Sequence, residues 1–156
     1  MKNLLLCFGN GGHKAQAFRI QKTLESKFND IQYFSVTDVG DSPFWSSAHL
    51  ELGEARDKIS GRLISIPKLF SAFKSVRRFI ALNNISTIVS TGPGMSVLVF
   101  ICAKLRGCAF IHIETWSKFE TLTITTRLLN ALNCPIWYQN KELRHLLPNG
   151  KYVGRL

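Results

Sequence analysis

Short apolar runs alternate along this chain with longer segments of helical periodicity, and this alternation constrains the fold more than any other feature. Each apolar run has the length of a buried strand, and a glycine, proline or asparagine ends several of them. The predicted strands are residues 3–8, 31–36, 62–66, 86–91, 108–115, 135–139 and 151–154. With 46% hydrophobic residues, the 156-residue chain has enough apolar mass for one core, so we predict a single domain, residues 1–156.

Helical patterns fill most of the segments between these strands. The predicted helices are residues 14–28, 67–82, 95–105, 119–132 and 141–147. Residues 38–61 have weak periodicity and are predicted to form a long loop with room for a short helical turn. Strands joined by helices form right-handed crossovers, so the predicted fold class is α/β, with a doubly wound, mainly parallel sheet.

The loop after the first strand carries residue types that a plain turn does not need. Glycines let the backbone approach a ligand closely, and the start of the next helix offers free N–H groups to an anion. Histidine can accept a proton near neutral pH, which makes it a candidate catalytic base. The residues of this first glycine loop are Gly9, Asn10, Gly11, Gly12 and His13.

Two other interpretations of the first glycine loop stay open. A dinucleotide-binding fingerprint would need a third glycine where Lys14 stands, although Asp38 could supply the acidic residue after the second strand. The glycines could also form only a tight turn between a strand and a helix.

A second glycine loop, Gly-Pro-Gly at residues 92–94, follows another predicted strand. Ligands of open parallel sheets bind outside the carboxyl ends of the strands, so two such loops can face one ligand from two sides. We predict that Thr91, Gly92 and Gly94 bind this ligand. A plain turn is the alternative.

Glu114 ends the apolar strand of residues 108–115 and is the second candidate for catalysis. In a central strand its carboxylate would lie at the crevice, with Thr115 as a substrate-binding neighbour. The alternatives are a surface carboxylate paired with Lys118 and a cap for the next helix. His112, on the same side of the strand, is typical of a hydrogen-bonded core histidine.

Positive charge predominates in this chain and is unevenly distributed along the sequence. The net charge is +10, and residues 58–113 contain no Asp or Glu. Such a field favours phosphate groups, nucleic acid or an anionic membrane as the partner. The helix at 67–82 is basic and amphipathic, and the helix at 95–105 is almost wholly apolar, so we predict that both contribute to a membrane or partner surface. Its predicted residues are Lys68, Phe70, Phe73, Lys74, Arg77, Arg78, Leu98, Phe100 and Ile101.

A core-facing helix with a solvated basic back is the alternative for residues 67–82. The four cysteines lie far apart in apolar runs, which predicts buried free thiols, a reducing compartment and no metal site. No apolar run has the length of a membrane-spanning helix or a signal peptide.

Four segments together resemble one protein family. The segments FGNGGHKAQ, STGPGMSV, FIHIETWSK and YVGRL occur in the order and at roughly the spacing found in the membrane-associated subunit of two-component glycosyltransferases. One branch of that family is the eukaryotic subunit that recruits its catalytic partner to the endoplasmic reticulum. The other is the bacterial PssD-type subunit of capsule and exopolysaccharide synthesis. The family is similar to the N-terminal half of the peptidoglycan glycosyltransferase that makes lipid II, a two-domain GT-B enzyme.

The resemblance implies half an enzyme, whose UDP-sugar donor binds to a separate subunit. It implies a polyprenyl-diphosphate-linked saccharide as acceptor, inversion at the sugar and no cofactor. Gly11, Gly12 and His13 would line the acceptor side, Thr91, Gly92 and Gly94 would flank the diphosphate, and Glu114 would face the sugars. His13 is the first candidate base. The chain would attach peripherally to the cytoplasmic face of the inner membrane.

Two other classes remain as rivals. A stand-alone nucleotide- or dinucleotide-binding protein, such as an oxidoreductase or a sensor, would bind NAD or a free nucleotide by itself. A nucleic-acid-binding module is favoured only by the charge, and the glycine loops, which suit a small pocket, argue against it.

Overall fold

The computed structural model describes residues 2–38, 40–53 and 65–155 and shows a parallel sheet with helices on both faces. The strands are β1 (Lys2–Phe8), β2 (Ile31–Thr37), β3 (His49–Glu51), β4 (Thr87–Ser90), β5 (Ala109–Ile113), β6 (Ile136–Tyr138) and β7 (Lys151–Tyr152). The helices are α1 (Gly12–Glu25), α2 (Ile66–Leu82), α3 (Ser96–Arg106) and α4 (Ile124–Ala131), with a 3₁₀ helix at Lys141–His145.

The strand order is β3-β2-β1-β4-β5-β6-β7, and every neighbouring pair is parallel. The chain builds outwards from β1 to β3 and then returns to place β4 on the other side of β1. The strand order therefore reverses between β1 and β4, which is the switch point where such sheets bind ligands. The predicted fold class, a doubly wound α/β sheet, is confirmed.

The core has two layers, one on each face of the sheet. On one face, Leu4, Leu6 and Phe8 of β1 pack with residues of α1. On the other face, Leu5 and Cys7 pack with residues of α2, α3 and α4. Because both faces are covered, the buried part of β1 is a continuous apolar run rather than an alternating one.

The predicted long loop contains an edge strand that the sequence pattern does not reveal. β3 has three residues and pairs with β2, with His49 opposite Ser35 and Glu51 opposite Thr37. Three residues are too few for a hydrophobic period to be recognised in the sequence. Backbone hydrogen bonds to β2, rather than an apolar pattern, hold this strand in place. The predicted strand at 62–66 falls largely outside the described residues, and its last residue, Ile66, begins α2.

The predicted helix at 119–132 starts later than the pattern suggested. α4 begins at Ile124, and the side chain of Thr123 caps it by accepting a hydrogen bond of 3.1 Å from the backbone N–H of Thr126. Threonine favours such N-terminal caps. The apolar residues that precede this cap continue the helical period of the sequence but lie outside the helix.

The prediction that Leu98 and Phe100 form part of a membrane or partner surface was wrong. Phe100 packs in the core beneath α3, and Leu98 is 9% exposed and lies in a cluster with Ala72 and Met95. The apolar helix α3 is covered mainly by the sheet and by α2. Ile101, at 40% exposed, does lie at the surface.

The cysteines are free thiols, as predicted, but one of them is less buried than the sequence suggested. All four cysteines are free, three of them are buried, and Cys108 is half-buried. Burial raises the pKa of the Cys7 thiol to about 12, so this group is not a nucleophile at neutral pH. Among the described residues, no helix combines the length and hydropathy needed to cross a bilayer.

The position of α3 predicts different stabilities for two variants of the same helix. Leu98→Ala should lower the free energy of unfolding by about 2–4 kcal/mol, because it leaves a cavity under α2. Ile101→Ala should lower it by less than about 1 kcal/mol, because that side chain is already partly in water. Urea unfolding measures both values, and equal losses would contradict the burial of Leu98.

Candidate functional site

The two glycine loops meet at the switch point of the sheet, where His13 joins them. The ring Nδ1 of His13, in the first turn of α1, hydrogen-bonds the backbone carbonyl oxygen of Thr91, just after β4. The Thr91 hydroxyl donates in return to the backbone carbonyl of His13 over 3.1 Å. Two residues that lie 78 positions apart in the sequence are therefore held as one unit at the crevice.

The bond to Thr91 decides which ring nitrogen of His13 is available. A carbonyl oxygen can only accept, so Nδ1 carries a proton and donates it. In the neutral ring, Nε2 then holds the free lone pair. No residue in the described part of the chain hydrogen-bonds Nε2, and the side chain is only half-buried. His13 can therefore take a proton from a group bound in the crevice.

Gly92 is required by the position of His13. Its φ is +122°, a conformation that L side chains rarely adopt. A Cβ atom at residue 92 would also lie 2.7 Å from Cε1 of the His13 ring, closer than atoms can pack. The second glycine loop thus makes room for the imidazole.

The glycines of the first loop have different roles. Packing explains the glycine at position 9, because a Cβ there would lie 3.0 Å from the carboxylate of Asp38. Backbone conformation explains Gly11, whose φ is +68°. Gly12 has neither reason, since a Cβ there would have no atom within 4 Å. The space in front of α1 is open, as a ligand-binding loop requires. The side chain of Asn10 lies against Gly40.

Glu114 is placed as a helix cap rather than as an open acid or base. Its side chain is 1% exposed, and its two oxygens accept hydrogen bonds from the backbone N–H groups of Thr115, at 2.8 Å, and Thr123, at 3.0 Å. The Thr123 hydroxyl also lies 3.2 Å away. The geometry favours the capping alternative, because the carboxylate does not reach the crevice directly.

A chain of hydrogen-bonded polar side chains, which we call the buried polar chain, connects Glu114 to the second glycine loop; its members are buried except for Thr123, which is half-buried. It runs through Thr123, Thr126, His112 and Ser90, with spacings of 2.8–3.3 Å between neighbours. Ser90 donates to Ser96, so its oxygen is free to accept from Nδ1 of His112 and from the backbone N–H of Gly92.

His112 is the centre of this chain and is a core histidine, as the sequence suggested. Burial, with a smaller contribution from the charge of nearby His13, lowers its pKa to about 3. The ring is therefore neutral at physiological pH and bonds one hydroxyl with each nitrogen.

The structure thus brings together part of the predicted site. His13, Thr91 and Gly92 touch one another, and Asn10, Gly11 and Gly12 form the adjoining loop. Gly94 is exposed at the start of α3. Thr115 hydrogen-bonds Ser117 over 3.2 Å in a separate loop and reaches the second glycine loop only through Glu114 and the buried polar chain.

Sequence reasoning missed two buried amides near the strand ends. Gln16 lies one turn after His13, and both atoms of its amide are buried without a hydrogen-bond partner among the described residues. The amide nitrogen of Asn140, after β6, donates to the backbone carbonyls of Trp116 and Lys118 and so holds the loop that follows Glu114. A polar residue inside an apolar period was the available signal for Gln16.

A basic surface lies on the opposite side of the sheet from α1. On α2, Lys74 Nζ lies 4.6 Å from the centre of the Phe70 ring, and the guanidinium of Arg77 lies 5.7 Å from that of Phe73. Phe70 is 58% exposed. These side chains form a groove of about 460 Å³, which we call the α2 groove. It is lined by Phe70, Phe73, Lys74, Arg77, Arg78, Ala81 and Arg106.

Metal-binding side chains do not cluster in this part of the molecule. Within residues 2–38, 40–53 and 65–155, no three His, Cys, Asp or Glu side chains come close enough to hold one ion.

Residues 4–156 match the family described as oligosaccharide biosynthesis protein Alg14 like. The chain belongs to this family. The UDP-N-acetylglucosamine transferase subunit alg14 of Schizosaccharomyces pombe is 23% identical, over 98% of this chain and 82% of that protein. The predicted class, a subunit of a glycosyltransferase, is the class named for this relative.

Solved structures support the predicted GT-B relationship of the fold. MurG of Acinetobacter baumannii matches 91% of this chain with a TM-score of 0.68 and 14% identity. UDP-GlcNAc 2-epimerase of Methanocaldococcus jannaschii matches 94% with a TM-score of 0.64 and 10% identity. The chain spans 43% of the MurG chain and 42% of the epimerase chain.

The different roles of two glycines predict opposite effects on stability. Gly92→Ala should lower the free energy of unfolding by about 1–3 kcal/mol, because the new methyl group meets His13 in a strained conformation. Gly12→Ala should raise it by about 0.4–1 kcal/mol, because the helix tolerates alanine and the space is open. Thermal and urea unfolding test both, and a destabilised Gly12→Ala variant would show that Gly12 packs against its own chain.

Proposed function

We propose that the chain is the acceptor-side subunit of a two-component glycosyltransferase of the bacterial capsule or exopolysaccharide type. It would act with a separate donor-binding subunit, which supplies a UDP-sugar, and would receive a saccharide linked to polyprenyl diphosphate. The observation that carries the proposal is the lone pair of His13 Nε2, which is available between two glycine loops at the switch point of a GT-B-like sheet. Membership of the Alg14-like family supports the class of reaction.

His13 would act as the general base. The acceptor hydroxyl oxygen attacks the anomeric carbon of the donor sugar while its proton moves to Nε2 of His13. The bond between that carbon and the diphosphate oxygen breaks, and UDP leaves with the electron pair. One displacement inverts the anomeric centre. The bond from Nδ1 to Thr91 keeps the ring oriented and stabilises the imidazolium that forms.

The glycine loops would bind the acceptor's diphosphate. The first N–H groups of α1 have no partner within the helix, the N-cap residue Gly11 makes no side-chain hydrogen bond to them, and a Cβ at Gly12 would have no atom within 4 Å. Thr91 and the loop of Gly92 and Gly94 would close the other side. Thr115 and Asn10 would contact the sugars at the edge of this cleft.

Glu114 would be a positioning residue rather than a second base. Through Thr123 and the buried polar chain to Ser90, it fixes the end of β5 relative to the second glycine loop. Replacing the Glu114 side chain would therefore shift Gly92 and change the environment of the His13 ring.

The α2 groove would hold the subunit on the cytoplasmic face of the inner membrane. Lys68, Lys74, Arg77 and Arg78 suit anionic headgroups, while Phe70 and Phe73 suit the headgroup boundary. This association is peripheral in the proposal.

The base role predicts that transfer requires both His13 and a partner. With the donor subunit encoded beside it, a UDP-sugar and a lipid-linked acceptor extract, the wild-type chain should transfer sugar. His13→Gln should lower that rate about 10²–10⁴-fold. Thermal unfolding of the variant separates loss of the base from loss of the contact with Thr91. His145→Gln, which changes an exposed histidine whose Nδ1 lies 2.7 Å from the backbone carbonyl of Glu142, is the matched control.

Three outcomes would count against this proposal. Full transfer by the chain alone would refute the need for a donor subunit. Unchanged transfer by His13→Gln would remove His13 as the base. Tight binding of NAD by the isolated chain would favour the dinucleotide-binding alternative.

Charge reversal in the α2 groove predicts loss of membrane binding. Lys74→Glu with Arg77→Glu should weaken binding to vesicles that contain anionic phospholipid by at least about tenfold, because each cation near the surface contributes about 1 kcal/mol. Vesicle sedimentation measures this. Lys27→Glu with Arg144→Glu makes the same change in net charge at exposed positions elsewhere and should bind nearly as wild type. Equal losses would mean that only net charge matters.

A further inference from the structure

A second groove, of about 650 Å³, adjoins the first glycine loop and has no part in the chemistry above. We call it the aromatic groove. Its walls come from the end of β1, the solvent side of α1 and the segment before β3. It is lined by Phe8, Gly11, Lys14, Ala15, Phe18, Ser42, Pro43, Phe44 and Trp45.

Aromatic rings build this groove. Trp45 packs against Phe8, with ring centres 6.0 Å apart, and against Tyr33 at 6.3 Å, so its position is fixed by the core. Phe44 meets Phe18 edge to face at 6.0 Å and is otherwise in solvent, being 89% exposed. A phenylalanine this exposed beside an apolar groove indicates a surface that an apolar ligand covers.

The charged side chain in the lining of the groove is positive. Lys14 lines it, and Lys22 Nζ lies 4.7 Å from the centre of the Phe18 ring. None of the lining residues is acidic. The groove therefore complements a ligand with an anionic group and a hydrocarbon part.

The groove is continuous with the proposed diphosphate site. Gly11 belongs to both, and the eight residues from Gly11 to Phe18 span about 10 Å along α1. An amphiphile could place its anionic head at the first glycine loop and the nearest part of its tail against Phe18, Phe44 and Trp45.

We propose that the aromatic groove binds the isoprene units nearest the diphosphate of a polyprenyl diphosphate. The inference rests on the proposed function, because it takes the anionic head to be the diphosphate of the acceptor. A bilayer is the less suitable occupant. α1 and α2 pack on opposite faces of the sheet, so a membrane seated on the α2 groove does not reach this one. The distal part of a long polyprenyl chain can remain in the bilayer.

The test measures affinity as a function of tail length. The full chain is titrated with inorganic pyrophosphate, isopentenyl diphosphate, geranyl diphosphate and farnesyl diphosphate, with calorimetry and tryptophan fluorescence as readouts. Affinity should rise at each step and by at least about tenfold from isopentenyl to farnesyl diphosphate, because each added unit buries apolar surface. The tryptophan fluorescence, to which Trp45 contributes, should change with the prenyl ligands and not with pyrophosphate.

Two matched variants localise the tail. Phe44→Ser should remove the tail-length dependence while leaving pyrophosphate affinity unchanged, and its high exposure means that the fold should tolerate the change. Phe28→Ser removes a phenylalanine that is 50% exposed, beyond the C-terminal end of α1, and should keep the full dependence. Thermal unfolding confirms that both variants are folded.

Three results would overturn the groove proposal. They are equal affinity for all four ligands, an undiminished dependence of affinity on tail length in Phe44→Ser, and an equal change in tryptophan fluorescence with vesicles of zwitterionic lipid. The transfer assay separates this proposal from the proposed function. Tail-dependent binding without transfer would keep the groove and refute the reaction, whereas transfer without tail dependence would keep the reaction and refute the groove.

Discussion

The pair of hydrogen bonds between His13 and Thr91 is the contact on which the site depends. It joins the first turn of α1 to the end of β4, and so holds the two glycine loops across the switch point of the sheet. The same contact orients the imidazole and leaves Nε2 free. Gly92 follows from it as a steric necessity, because any side chain there would displace the ring.

Next to this contact, the buried polar chain holds the end of one strand in a fixed position relative to the end of the next. Ser90, His112 and Thr126 connect β4, β5 and α4, and Glu114 ends the chain at the N-terminus of α4. Buried polar groups that all find partners specify one arrangement, because every alternative leaves a donor or an acceptor unpaired. The hydrogen bonds of the buried polar chain and the hydrophobic layers on the two faces of the sheet thus hold the crevice in place.

The surfaces divide between the two faces of the sheet. The α2 groove carries cations and aromatic rings on one face, whereas the aromatic groove lies beside α1 on the other. The crevice at the strand ends lies between them. A subunit of this form can rest on a membrane by one face and still present a lipid-linked substrate at the other, which is the arrangement that our two proposals require together.

The sequence by itself determined the order of the main strands and helices, the parallel sheet and the two glycine loops, because apolar period and glycine position are local signals. It did not determine β3, because three residues paired with β2 show no recognisable apolar period. It also did not determine the burial of Leu98 and Phe100, because the sequence of an apolar helix does not show which side the rest of the fold covers. It pointed to His13 and Glu114 by residue type alone. Only the tertiary structure separated them, since contacts with Thr91 and Thr123 decide that one ring faces the crevice and that the other side chain caps a helix.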